Sequence, residues 1–160
     1  MSTFSHLDEE GRVRMIDVSE KAATVREAVA QGIITMQPET FHLIREQKAK
    51  KGNVLETARI SGIMAAKRTA ELIPMCHPLS ITHVQVDFFP HPDTNSIRIE
   101  AVVRVVGQTG VEMEALTAVS IAALTIYDMC KSYDRAMTIS DVYLLKKSGG
   151  KSGTFVRQSS

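Results

Sequence analysis

Two alternating segments joined by a turn, two helical stretches before them and one long apolar stretch after them predict an α+β sandwich. The chain has 160 residues, 44% hydrophobic and 23% charged, which suits a single domain with one core.

Residues 1–14 are polar and mixed in charge and are expected to form a flexible N-terminal arm. The stretch "TVREAVAQGIITM" (24–36) is divided against itself. Its Ala and Glu favour helix, while Ile33, Ile34 and Thr35 favour strand. "QPETFHLIREQK" is a short helix with Pro38 in its first turn and Phe41 and Ile44 on one face. After the basic break "KAKKGN", residues 54–73 form one stronger helix, apolar at Val54, Leu55, Ala58, Ile63, Ala66 and Ile73 and stopped by Pro74. "ITHVQVDFF" and "SIRIEAVVRVV" alternate as strands, and "PHPDTN" between them makes a hairpin. Thr109 and Glu112 are spaced as a capping box for a helix over about 111–131. "MTISDVYLLKK" is a last strand. Taking 24–36 as strand, the order β-α-α-β-β-α-β is a ferredoxin-like sandwich: a split βαβ antiparallel sheet, helices on one face, and one extra helix.

The net charge of +1 supplies no broad basic field for nucleic acid, so any positive site is local. Cys76 and Cys130 are too few for a disulfide scaffold and fit no zinc spacing, so no metal site is expected. There is no signal-peptide core, and no apolar run approaches a membrane span; a cytoplasmic protein that does not engage membranes is expected.

Residues 115–127 carry no group charged at neutral pH. Leu116, Val119, Ala123, Ile126 and Cys130 form one stripe, but Ile121 and Leu124 point elsewhere, so the helix needs a second covering surface. A homo-oligomer with this helix near an interface supplies one. The charges gather at its ends. Glu114 and Asp128 lie fourteen residues apart, about 21 Å along the axis, too far to touch one small ligand from one helix. Two such helices antiparallel across a two-fold axis would bring opposite ends together.

Asp128 and Lys131 in "YDMCK" share a helix face and suit an acid/base pair at the rim of a buried helix, although a plain surface ion pair has the same spacing. "LIPMCHPLS" is a proline-fixed loop presenting Met75, Cys76 and His77. Histidine suits proton transfer or hydrogen bonding. Lysines cluster at Lys48, Lys50 and Lys51, at Lys67, at Lys131, and at Lys146, Lys147 and Lys151 beside glycines, a pattern for a polyanionic ligand. "KKSGGKSG" ends like a phosphate loop, but Leu145 stands where the first glycine belongs and no helix follows. It is expected to be a glycine-hinged basic flap, with Lys147 the lysine that reaches the ligand.

Four stretches in order, "MIDVSEKAATVREA", "KGNVLETARISGIMAAKRTAELIPMCHPL", "TGVEMEALTAVSIAALTIYDMCK" and "LLKKSGGKSG", closely resemble the cyclic pyranopterin monophosphate synthase (MoaC) family of molybdenum cofactor biosynthesis. The resemblance implies a single catalytic domain over 15–160, assembled as a hexamer, a trimer of dimers, with sites between subunits. It implies a lyase whose substrate is a purine nucleotide-derived triphosphate, 3′,8-cyclised dihydro-GTP, supplied by an upstream radical cyclase. The products are cyclic pyranopterin monophosphate and diphosphate. Carried over, Asp128 and Lys131 are the catalytic pair, Met75, Cys76, His77, Met113 and Glu114 bind substrate, and Arg26, Lys51, Lys67, Glu112 and Lys147 line the site. His77 or Glu114 could share the proton transfers. The chemistry calls for staged proton transfers rather than a redox cofactor, with Mg²⁺ an optional partner of the substrate phosphates. An inert nucleotide sensor of the same fold would use the same basic pocket.

Overall fold

The centre of the sheet is the stretch whose composition was divided between helix and strand. β1, Thr24–Thr35, is hydrogen-bonded along both edges, antiparallel to β3 (Ser96–Gly107) and to β4 (Thr138–Ser148). Ala28, Ala30 and Ile34 there are fully buried, so packing on both sides overrides the helix preference of its Ala and Glu. The structure, a computed structural model, describes residues 5–159.

Before the next strand come α1 (Pro38–Arg45), α2 (Val54–Lys67) and the single turn α3 (Thr69–Leu72). β2 (Ile81–His91) then pairs with β3 through a one-turn 3₁₀ helix, Pro92–Thr94, closed by Asn95 in the left-handed conformation. α4 (Glu112–Cys130) leads to β4, and β5 (Phe155–Val156) pairs back onto β4. The five strands lie in the order β2-β3-β1-β4-β5. The first four make the split antiparallel sheet expected of a ferredoxin-like sandwich, with α1 the additional helix; β5 extends the sheet beyond that pattern.

Ile97, Ile99, Ala101, Val103 and Val105 of β3 turn one buried row toward the helices, while Arg98, Glu100, Val102 and Arg104 alternate onto the open face. α4 covers that row, and α2 packs along α4. Small residues allow the close approach. Cβ added at Gly62 would stand 3.1 Å from the Ala118 carbonyl oxygen and 3.4 Å from the Ala122 Cβ. Beside it the Ser61 and Thr125 hydroxyls bond at 2.7 Å.

Three expectations are corrected here. The single helix over 54–73 is broken at Arg68, whose N–H bonds to Ala65 O while the Thr69 hydroxyl donates to Ala65 O and Ala66 O at 3.0 and 3.2 Å. These bonds satisfy the carbonyls at the end of α2 and let the chain turn. The capping box of Thr109 and Glu112 does not form, because α4 starts at Glu112 with Val111 as its cap and no side-chain capping bond. Finally, α4 does reach the length of a membrane span, with 19 residues and a mean hydropathy of 1.3, although 56% of its apolar window is buried inside this fold. It is built as the core helix of this sheet. Its outward flank keeps Leu124 exposed, and α2 likewise exposes Ile60 and Met64.

Gly62→Val places a branched side chain where the two helices meet, and overpacking of this kind costs about 1–3 kcal/mol. Urea unfolding should show a midpoint lowered by that loss divided by the slope, with the slope unchanged; an unaltered midpoint would mean that the helices can separate freely.

Candidate active site at the two ends of one helix

The start of α4 meets the loop after α3. Met75, Cys76 and His77 there face Glu112, Met113 and Glu114 across a cavity of about 240 Å³. Residues 15–21 close its far side through Ile16, Val18 and Lys21. A second cavity of about 120 Å³ lies behind, lined by Lys67, His77 and Glu114 among others, so Glu114 and His77 border both.

Glu114 is the unusual group. It is 5% exposed, and its Oε2 has no hydrogen-bond partner. Burial, opposed by a bond to its own backbone N–H and reinforced by the Glu112 carboxylate, raises its pKa to about 7. The Cys76 thiol is also pushed up, first by burial and then by Glu114 and Glu112. His77 Nε2 lies 2.5 Å from the Ile16 carbonyl oxygen. A carbonyl can only accept, so Nε2 carries the proton and Nδ1 is the nitrogen left for a ligand.

Arg26, on β1, donates from Nε to Gly107 O at 2.9 Å and from Nη2 to Gln108 O at 3.2 Å. Gly150, with φ +77°, passes so close that a Cβ there would strike the Arg26 guanidinium. Lys147 Nζ pairs with Glu112 Oε1 at 3.2 Å. Arg26, Lys147 and Glu112 therefore form one charged wall beside the cavity. The flap expectation is corrected in part. Lys147 belongs to β4, opposite Ala28, and only residues 149–153 form a turn, which returns into β5. Three glycines with positive φ, Gly149, Gly150 and Gly153, shape that turn.

At the other end of α4 stands a separate cluster. Lys131 Nζ lies 2.9 Å from Asp128 Oδ1, and Lys51 Nζ lies 3.7 Å from Oδ2 and 3.1 Å from the Asp128 carbonyl oxygen. Lys131, then Lys51, hold the Asp128 carboxyl below the usual carboxylate range. The three side chains are 51–60% exposed. Within one chain, then, Arg26, Lys67, Met75, Cys76, His77, Glu112, Met113, Glu114 and Lys147 gather at one end of α4, and Lys51, Asp128 and Lys131 at the other. Cys130 is core, 1% exposed, with its thiol pushed up by burial to about 11.

Two contributors had no part in the sequence argument. His6, from the arm, lines the 240 Å³ cavity, although residues 1–4 lie outside the described residues. Gln108 donates from Nε2 to Lys21 O at 3.1 Å. A neutral amide reaching 87 residues back leaves no local sequence signal.

A MoaC family model matches residues 15–150. The chain is 66% identical to the cyclic pyranopterin monophosphate synthase of Desulfatibacillum aliphaticivorans over 99% of both chains. It is 65% identical to that of Desulforapulum autotrophicum over 98% of this chain and 96% of the relative. The synthase of Chloroflexus aurantiacus is 61% identical over 96% of this chain and 94% of its own.

Because folding raises the Glu114 pKa from its ordinary 4.5 to about 7, the folded state holds this proton more tightly than the unfolded one. The group therefore costs stability as pH rises from 4.5 through 7, reaching about 3 kcal/mol above that range. Glu114→Gln should unfold at nearly the wild-type urea midpoint at pH 4.5 and be the more stable protein at pH 8; equal midpoints at both would show that the carboxylate is ionised at no cost.

Proposed function

The chain belongs to the MoaC family, and on that premise we propose that it is a lyase forming cyclic pyranopterin monophosphate from 3′,8-cyclised dihydro-GTP with release of diphosphate. The observation that carries the reaction is the 66% identity to a synthase of that name over 99% of both chains. A radical cyclase upstream would supply the substrate.

Two kinds of chemistry are asked of the residues. Rebuilding the purine into a pterin needs protons removed and returned in stages. Asp128, kept ionised by Lys131 and Lys51, is suited to accept a proton, and Lys131 to return one. Closing the cyclic phosphate requires a ribose-derived hydroxyl oxygen to attack the α-phosphorus. The α–β bridging P–O bond breaks, diphosphate departs, and the hydroxyl proton passes to a base. That step depends on alignment and on neutralised charge, which Arg26, Lys67 and Lys147 supply at one end and Lys51 at the other. Met75, Cys76, His77, Met113 and Glu114 shape the pocket that grips the ring system. Glu112, now paired with Lys147, would release it to an incoming phosphate.

Neither cluster is sufficient alone, since they stand about 21 Å apart on a rigid helix. An assembly in which α4 of one subunit lies antiparallel to α4 of another would join them, and the exposed Ile60, Met64 and Leu124 offer apolar surface for such contacts. A hexamer built as a trimer of dimers is the form proposed.

Asp128→Ala and Lys131→Ala should each abolish turnover while leaving the oligomer intact by native mass spectrometry. Mixing subunits sharpens the test. Co-assembled Asp128→Ala and Arg26→Ala chains, each dead alone, should recover part of the activity, because some interfaces then hold one complete site. No recovery in verified mixed assemblies would place the whole site in one chain.

Lys147→Ala should raise KM or lower kcat at least tenfold, as loss of a charged hydrogen bond of about 1.5–3 kcal/mol requires. Lys151→Ala, exposed in the glycine turn, should change either constant less than threefold, within the small range of surface substitutions of about 0.5 kcal/mol. Steady-state kinetics of the two variants decide it; matching losses would return the basic role to the turn.

A further inference from the structure

Residues 15–21 cover the 240 Å³ cavity at the start of α4 without forming helix or strand. The bonds within this stretch are local. Lys21 N–H donates to Val18 O at 3.0 Å, and the Asp17 carboxylate accepts from the Ser19 amide and hydroxyl at 2.9 and 2.6 Å. The segment before it is closed on itself by the Leu7–Val13 bridge and by Arg14 N–H to His6 O at 2.8 Å. Among the described residues, two hydrogen bonds tie 15–21 to the rest of the fold, and both come from side chains elsewhere. His77 Nε2 donates to Ile16 O at 2.5 Å, and Gln108 Nε2 donates to Lys21 O at 3.1 Å.

We propose that residues 15–21 are a strap that opens and closes over the cavity, and that Gln108 is the positioning residue that seats it. The geometry gives Gln108 this place for two reasons. Its side chain holds the end of the strap nearest β1, the only end with a fixed anchor in the sheet. Its backbone carbonyl is held by Arg26 Nη2 at 3.2 Å, so strap and charged wall share one residue. At the far end of the strap the Ile16 carbonyl determines which nitrogen of His77 carries the proton. An unseated strap frees the His77 ring and admits water to Glu114. Closure thus assembles the pocket, in the manner of a lid. This deepens the proposed function, since it takes the cavity as the substrate pocket.

Hydrogen exchange by mass spectrometry on the full-length native assembly, without ligand, tests the strap by itself. Gln108→Ala and Gln108→Glu both remove the donor to Lys21 O and leave the backbone bond to Arg26. Each should speed exchange over 15–21 about fivefold, the weight of one hydrogen bond, with 24–35 unchanged. In turnover, KM should rise less than twofold with kcat unchanged, because a strap closed most of the time loses little of its competent fraction. Unchanged exchange over 15–21 in both variants overturns the proposal. So does faster exchange spread equally through β1, or a wild-type strap already exchanging at the unprotected rate. Since no substrate enters the exchange measurement, wild-type protein inactive on the cyclised nucleotide would sink the function and leave the strap standing.

Discussion

The antiparallel packing of α2 on α4 sets the distances on which the site depends. Gly62 and the alanines opposite it let the two helices approach until backbone and Cβ atoms nearly touch, so neither helix can slide or tilt much relative to the other. α2 has 14 residues, about 21 Å, the same span that separates Glu114 from Asp128. Lys51, three residues before α2, therefore arrives at Asp128, and the residue that ends α2, Lys67, arrives near Glu114. The pair brings a lysine to each end of α4, whose residues 115–127 carry no charge. On the proposed reading, a ligand that needs both kinds of group is held between molecules.

At the enclosed end, the electrostatics separate two carboxylates only two residues apart. Glu112 is 30% exposed and pairs with Lys147, while Glu114 is 5% exposed and forms no salt bridge among the described residues. The first is an exchangeable ion pair of the kind that adds little to stability, and a phosphate can take its cation without leaving a buried charge behind. The second takes up a proton near neutrality and can present either a donor or an acceptor to a ring nitrogen. At the open end, Asp128 is held ionised by two lysines in water, so the two ends of α4 carry carboxyl groups with opposite tendencies. Environments that push like groups apart in this way assign different proton-transfer roles to them.

Most of the sheet was legible from alternation, because residues such as Ile97, Ile99 and Val103 face a core with period two. β1 was legible only through its neighbours, since its composition permits a helix and its burial on both sides decides for strand. The break at Arg68 and the failed capping box at Thr109 turn on a few local hydrogen bonds, and both lie below what spacing can resolve. β5 has two residues and no pattern of its own, so it exists only because β4 offers an edge. The site residues were legible as types and as two groups along one helix. The contribution of Gln108 and of the Ile16 carbonyl was not, because a backbone oxygen has no letter in the sequence and a neutral amide has no charge to stand out.

The glycine turn also constrains how this chain can vary in length. Phe155 must sit opposite Lys147 and Val156 opposite Lys146 while Gly150 lies against Arg26, and Arg157 N–H bonds to Leu145 O at 2.8 Å beyond them. Its guanidinium then rests 4.0 Å from the centre of the Tyr143 ring. Adding or removing one residue between 149 and 154 would reverse which face each side chain of β5 presents and carry Arg157 away from that ring. Residue identity in the turn can drift wherever the backbone does not demand glycine. The number of residues cannot, and a tail that looks like a loose end is counted to the residue.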